Sequence, residues 1–541
     1  MKFIKKHVAT LLISGFLVLH LVIMPSYGFT WDFHFHFFGG GHLLGYSWQQ
    51  LESRDLPYTE PDPRLAWSLP YGPIMSIPPI ASFLALHKLW NILPADNAYH
   101  LPIVLWGVLG IVIVYLFLKE AVGRNVAIIA AISLALTPRY FGDMHNNMKD
   151  IPSAVIFALN MWLVWRLATK KRPIDLILAA SAFAMAFSVK INSIFVPIVF
   201  ATWFLLTQLP IQAITKFFTR NTLILLYWLV APIFALLLWW AFWPNPLLQL
   251  DHAYRTFGIG TNNIEVLLNG TWYCSGSTVP RYYPYWYLAI TTPLPILFFC
   301  IISLIRILKS IVQKRVKHFE LLLVCWLFIP LARYLLPQIG VIDGVRHFEE
   351  TLIPIAILAA LSFSDLVRVL AQQQKSMSVA LIVAITCWLS WNIVSYHPYQ
   401  ITYFNELVGG IRGAYGKYDL DYWGTSQKAA VEWVNKNAPQ NAKVHIVMAA
   451  NVAGTYLRSD LLTNLNKFGY DESDFVIFLN RQSFFYRFFY AYEYLLAHTP
   501  TYTITSQGVP LTWIFDNRTN NQIPRQSPWW QKEDPCILKY W

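Results

Sequence analysis

Leu101-Pro-Ile-Val-Leu-Trp-Gly-Val-Leu-Gly-Ile-Val-Ile-Val-Tyr-Leu-Phe117 runs 17 residues without a charge. That is close to the roughly 20 residues a helix needs to cross the hydrocarbon core of a bilayer. Comparable apolar runs follow near Val126 to Leu136, Ile151 to Ala168, Ile174 to Val189, Ile194 to Leu206 and Leu223 to Trp243. Others lie near Tyr287 to Ile305, Leu321 to Leu336, Leu352 to Leu370 and Val379 to Val394. With the apolar stretch behind Lys2, Lys5 and Lys6, they predict a mainly α, polytopic membrane protein of about eleven spans. Met1 to Gly28 has a form that signal peptides share with first membrane helices, and we read it as a retained helix. Composition agrees: 56% of the 541 residues are hydrophobic and 13% charged, about half the charged share of a soluble protein. Soluble enzymes, disordered chains, collagens and disulfide scaffolds are excluded.

The net charge of +12 matters through its placement. With the N-terminus inside, the inner segments hold 18 Lys and Arg in roughly 57 residues, against 10 in roughly 150 outer residues before position 396. Acidic residues run the other way, 13 outside and four inside. The expected orientation therefore has a cytoplasmic N-terminus in a cell inner (plasma) membrane, with the polar chemistry outside. Pro70 to Trp90, apolar and proline-interrupted, reads as a helix lying in the interface rather than crossing. A net basic charge in this setting implies no nucleic-acid partner.

After Ser395 the composition changes to 13 Lys and Arg with 12 Asp and Glu, and no run is long enough to span. We expect a transmembrane domain over residues 1–395 and an extracytoplasmic α/β domain over residues 396–541. Within the second, Ala442 to Ala450 and Asp474 to Leu479 read as buried strands, Ser426 to Asn437 and Phe484 to His498 as helices, and Thr501 to Phe515 as a hairpin around Gln507-Gly508. Cys300, Cys325 and Cys387 fall inside apolar runs, leaving Cys274 and Cys536 as the pair able to bond.

Two outer segments carry most of the reactive side chains. Trp31-Asp-Phe-His-Phe-His-Phe-Phe-Gly-Gly-Gly-His42 sets one carboxylate and three imidazoles among aromatic rings. Partial desolvation there is expected to raise the basicity of Asp32 and suit it to removing a hydroxyl proton. The alternative is an aromatic belt at the interface with solvated polar atoms. The spacing of His34, His36 and His42 fits no strong zinc motif. Thr137 to Pro152 gathers Arg139, Asp143, His145, Lys149 and Asp150 between two short spans, with Asp150 and Pro152 also suited to starting a helix. Lys190 sits at a tight outer turn, and Arg346 with His347 at the outer mouth of a helix, where a phosphate could be held.

Several of these stretches together resemble a known family. Pro138-Arg-Tyr-Phe-Gly142, Asn147-Met-Lys-Asp-Ile-Pro152 and Asp343-Gly-Val-Arg-His347 are similar to segments of bacterial membrane glycosyltransferases. So are His397-Pro-Tyr-Gln-Ile-Thr-Tyr-Phe-Asn-Glu-Leu-Val-Gly-Gly410 and Asp421-Tyr-Trp-Gly-Thr-Ser426. These enzymes are relatives of the protein O-mannosyltransferases and aminoarabinose transferases (glycosyltransferase family 39-like), with the glycosyltransferase class C fold. The resemblance implies a polyprenyl-phosphate sugar donor, a lipid, glycan or protein acceptor on the outer face, and transfer with inversion. It implies Asp32 and Asp150 as the loop acids of catalysis. Lys190, Arg346 and His347 would meet the donor phosphate, and Arg139, Asp143, Asn147, Lys149 and Asp343 the substrates. Relatives often carry an acidic pair at the first loop; here Phe33 follows Asp32, which leaves Asp55 as the alternative acid. No cofactor is implied; Asp32, Asp143 and Asp150 could bind Mg²⁺ only by converging. A secondary transporter or lipid flippase is the competing class, but the sequence shows no repeat and keeps its charges at loop ends. A scaffold whose C-terminal domain binds partners is a third.

Overall fold

The computed structural model describes residues 2–46, 72–146, 148–208, 218–239, 243–255, 260–519 and 536. Asp55 and Asn147 lie outside them, as do Pro70 and Tyr71 of the interfacial segment. Helices occupy all eleven expected positions. Among the described residues seven are long and apolar enough to cross a membrane, or eight if Arg124–Ala135 and Pro138–Asn146, bent by 61°, count as one broken span. Pro173–Phe187, Asn192–Gln208 and Thr222–Leu238 are shorter apolar helices at the other three positions.

One expected span is divided. Tyr287 to Ile305 falls on two helices, Tyr283–Thr291 and Leu294–Val312. Pro293 and Pro295 withhold two amide hydrogens where the chain would otherwise continue as helix.

The two sets of loops gather at opposite ends. In Ala95–Ala121, Asp96 meets Lys428 at 2.7 Å, whereas Glu120 pairs with Lys170. Those acids are 24 residues apart on one helix, or about 36 Å. Near Glu120 lie Arg166 with Asp175 at 3.1 Å and Lys171 with Asn221 at 2.9 Å. Lys428 also donates to the carbonyls of Pro25 and Tyr27 at 2.9 and 3.1 Å. The exit of the first helix and the start of Ala95–Ala121 are thus fastened to one side chain. The two ends of the intervening stretch therefore lie on one side of the helical bundle.

Close approach explains the glycine run of the first loop. Phe33–Leu43 packs on Pro73–Ser82, and a Cβ at Gly40 would lie 2.4 Å from the Ser76 carbonyl oxygen and 2.8 Å from Ile80. Backbone cannot yield as a side-chain tip can, so Gly40→Ala is expected to cost about 1–3 kcal/mol. A chemical-denaturation midpoint unchanged from the parent in detergent would refute that account of the packing.

The small domain holds a four-stranded sheet. Its strands are β3 (Val444–Val447), β4 (Phe475–Leu479), β5 (Tyr502–Ser506) and β6 (Val509–Asp516), in the order β3-β4-β6-β5, with β3 and β4 parallel and the rest antiparallel. Gln507 and Gly508 both take positive φ in the turn between β5 and β6, as a tight two-residue hairpin requires. Two further strands, β1 (Glu265–Leu268) and β2 (Thr271–Cys274), form a hairpin outside this sheet. Its Asn269-Gly270 turn also has positive φ at both residues, and the dipeptide was a readable signal that the sequence reading passed over. Cys274 is bonded to Cys536, with Cα atoms 5.2 Å apart. A disulfide is at home on the oxidising side of a membrane.

Candidate active site

Asp32 stands at the start of Phe33–Leu43. The helix is held by rings: Phe33 stacks on Phe29 at 3.7 Å and meets Tyr99 at 4.9 Å, and Phe37 meets Phe83 at 4.9 Å. Both Phe33 and Phe37 are fully buried. Fixed in this way, the Asp32 carboxylate accepts from Lys149 Nζ at 2.5 Å and lies 3.6 Å from Arg346. Its side chain is 29% exposed, so it still reaches open space.

The expected rise in Asp32 basicity is corrected by this geometry. Burial does push the carboxyl upward, but Lys149, Arg346 and His36 outweigh it, and Asp32 is held well below the usual carboxylate range. His36, 3.2 Å from Lys149, is driven well below its ordinary value by burial and that cation, despite the pull of Asp32 and Asp150.

Arg346 continues the row of charges. It meets Asp343 at 2.9 Å, and Asp343 meets Arg481 of the small domain at 2.7 Å. Asp343 and Gly344 both adopt positive φ, a bend that Asp tolerates better than most residues. The bend lets one carboxylate join two guanidinium groups. The Trp423 ring lies 4.5 Å from the Arg346 guanidinium and 5.5 Å from Lys149 Nζ.

These groups border a cavity of about 600 Å³ between the membrane helices and the small domain. Asp32, Lys149, Asp343 and Arg346 line it. The other expected residues that the structure describes stand behind this wall. Asp150 and Lys190, 2% and 5% exposed, form a buried pair at 2.7 Å. Arg139, fully buried, donates to the Tyr422 hydroxyl at 3.4 Å and the Tyr403 carbonyl at 3.3 Å, bracing the small domain from below. Asp143 is buried beside Arg139 and Glu349. His347, half-buried, accepts from Arg346 at 3.4 Å. Asp32, Asp143 and Asp150 therefore face different partners rather than one point, and among the described residues no three His, Cys, Asp or Glu side chains are placed to hold a metal ion.

Most of the cavity wall comes from residues to which the sequence reading gave no role. Asp421 accepts four hydrogen bonds, from the amides and hydroxyls of Thr425 and Ser426 at 2.6–2.9 Å. That turn locks Tyr422 and Trp423 against the cavity. The motif was visible as a family signature, but its physical work was not. Arg481, Phe484, Arg487 and Phe488 complete this side. The expected helix from Phe484 to His498 starts only at Phe489, because the preceding residues are spent as turns that aim these side chains inward.

The sequence profile of the dolichyl-phosphate-mannose-protein mannosyltransferase family matches residues 78–240. No curated protein matches the sequence. Among solved structures, ArnT from Cupriavidus metallidurans bound to undecaprenyl phosphate superposes with a TM-score of 0.52 at 12% identity, covering 93% of this chain and 97% of that one. Its apo state gives 0.50 at 12% identity, covering 94% and 98%. The chain is therefore a polytopic membrane protein with the fold of ArnT, the glycosyltransferase class C fold, and its residues 78–240 are similar to the dolichyl-phosphate-mannose-protein mannosyltransferases.

Proposed function

We propose that the protein transfers a sugar from a polyprenyl-phosphate donor to an acceptor hydroxyl or amine on the outer face of the cell inner membrane, with inversion. The observation that carries this reading is Asp32, a lone carboxylate within 2.5 Å of Lys149 and 3.6 Å of Arg346 on an accessible cavity wall. The undecaprenyl phosphate bound to ArnT supports a lipid phosphate as the donor's carrier.

The acceptor oxygen or nitrogen bonds to the anomeric carbon as the bond from that carbon to the phosphate oxygen breaks. The bonding pair leaves with polyprenyl phosphate, and the acceptor proton passes to Asp32. Lys149 and Arg346 stabilise the departing phosphate charge in a site where water screens little. The same two cations hold Asp32 at rest. As they turn to the phosphate, the carboxylate loses its counter-charges and becomes a better base. Asp150 and Lys190 hold the second loop so that Lys149 stays in reach.

Incorporation of radiolabelled sugar from a polyprenyl-phosphate donor tests the reading, and no transfer by the purified protein from any such donor would end it. Orientation is tested separately. Lys314→Cys should resist a membrane-impermeant maleimide in intact cells and Lys467→Cys should react; the reverse pattern overturns the topology.

A further inference from the structure

We infer that Tyr456, on the small domain, is a positioning residue for Asp32: it pins the chain just ahead of the carboxylate, so that the side chain meets Lys149 and Arg346 instead of capping its own helix. This rests on the transferase reading above and names a residue on which the base of that reading depends.

Three consecutive residues before Asp32 are each held by a different part of the chain. The Phe29 amide donates to the Tyr456 hydroxyl at 2.6 Å. The Thr30 hydroxyl donates to the Asn146 carbonyl at 2.9 Å, in the segment that leads to Lys149. The Trp31 amide donates to the Trp423 carbonyl at 2.9 Å. Beyond Asp32, Asn451 Nδ2 lies 3.3 Å from His34 Nδ1. The small domain thus grips the loop on both sides of the carboxylate.

Tyr456 is committed in two directions. An amide can only donate, so the phenol oxygen accepts from Phe29 and its own hydrogen goes to Asp96, 3.2 Å away. Asp96 is held in turn by Lys428 at 2.7 Å. Burial and the Asp96 carboxylate push the phenol well above its ordinary value, so it keeps the hydrogen that Asp96 accepts. Chain and ring can approach this closely because residue 28 is glycine. A Cβ there would lie 2.9 Å from the Lys428 Cβ and 3.1 Å from the Tyr456 hydroxyl.

The grip passes to Asp32 through its neighbours. Phe29 stacks on Phe33 at 3.7 Å, and both are buried. The Phe33 amide donates to the Thr30 carbonyl at 2.8 Å. Asp32 has the place and the residue type of a helix cap. Its carboxylate nonetheless makes no capping bond to Phe33–Leu43 and is spent on Lys149 and Arg346. Two destinations compete for one short side chain, and the setting of the preceding backbone decides between them. Freed at Phe29, the loop lets the carboxylate turn back to the helix amides and leave the cavity wall. Tyr456 does not itself line the cavity, so its effect on transfer must run through another residue.

Hydrogen exchange on the purified full chain in detergent tests the anchor without any substrate. In Tyr456→Phe, residues 29–38 are expected to exchange about tenfold faster than in the parent, while β4 (Phe475–Leu479) keeps its rate. Unchanged exchange over residues 29–38 overturns the anchor. Faster exchange throughout the four-stranded sheet makes Tyr456 a folding residue of the small domain and ends the positioning role.

Transfer then tests the consequence, with the polyprenyl-phosphate sugar that gives incorporation in the parent. Tyr456→Phe should lower kcat about tenfold, as a misplaced base does, with the donor KM within about twofold of the parent. Placed in the Asp32→Asn background, the same substitution should leave the residual rate unchanged, because the group it acts through is gone. A kcat equal to that of the parent, or equal fractional losses in the two backgrounds, removes the positioning role and leaves Asp32 as the base. No incorporation by the parent ends the transferase reading, and this role with it.

Discussion

Asp32→Asn is expected to lower transfer by about 10²- to 10⁴-fold, the usual worth of general-base assistance, while the protein still inserts and binds the donor. Amide for carboxylate changes little in shape, and the Phe33 and Phe37 packing that fixes the helix is untouched. The loss should therefore fall on kcat. Turnover near that of the parent would remove Asp32 from the role.

The pH profile separates base from bystander. Lys149 and Arg346 hold the resting carboxyl below its ordinary range, so Asp32 stays ionised in the free enzyme at least down to about pH 4, its ordinary value. The acid limb of kcat/KM, which reports the free enzyme, should not reflect Asp32 above that. Once donor phosphate engages the cations, Asp32 protonates at higher pH, and the acid limb of kcat should move up relative to kcat/KM. Coincident limbs would mean that the cations never leave the carboxylate.

The second large effect is on stability. Asp150→Ala strands the Lys190 ammonium, 5% exposed, without the carboxylate 2.7 Å away. Breaking a buried pair on one side costs about 3–5 kcal/mol. Fluorescence-monitored unfolding in detergent should show a sharply lower midpoint. Combining Asp150→Ala with Lys190→Met should recover most of the loss, because the unpaired charge goes with the lysine. If Asp150→Ala unfolds at the parent temperature, the pair is not holding the loop.

Much of the architecture was legible because the bilayer imposes lengths and the charge bias sorts loops. Every apolar run became a helix, and the strands around Ile446 and Ile477 and the Gln507-Gly508 turn lie where short apolar runs and turn chemistry put them. What escaped was mostly tertiary. The divided helix at Pro293 followed local rules that hydropathy overrides, whereas the Asn269-Gly270 hairpin was legible in its turn dipeptide. At the site, the segments around Asp32, Lys149 and Arg346 were readable as clusters of charge. Their mutual pairing was not, because residues 32, 149 and 346 meet only through folding. Desolvation was foreseen for Asp32; the two cations that outweigh it were not. Arg481 and Phe488 sit in ordinary-looking soluble sequence, and nothing local marks them as facing the membrane half.

The chamber's walls span the chain from Trp31 to Phe488, and this has a consequence for biosynthesis. At about 5–20 residues per second, the ribosome needs on the order of half a minute to a minute and a half to make the second wall after the first. During that interval the nascent helices already reside in the bilayer with only half a reaction vessel, so a prematurely terminated chain would be a correctly inserted but inert membrane resident.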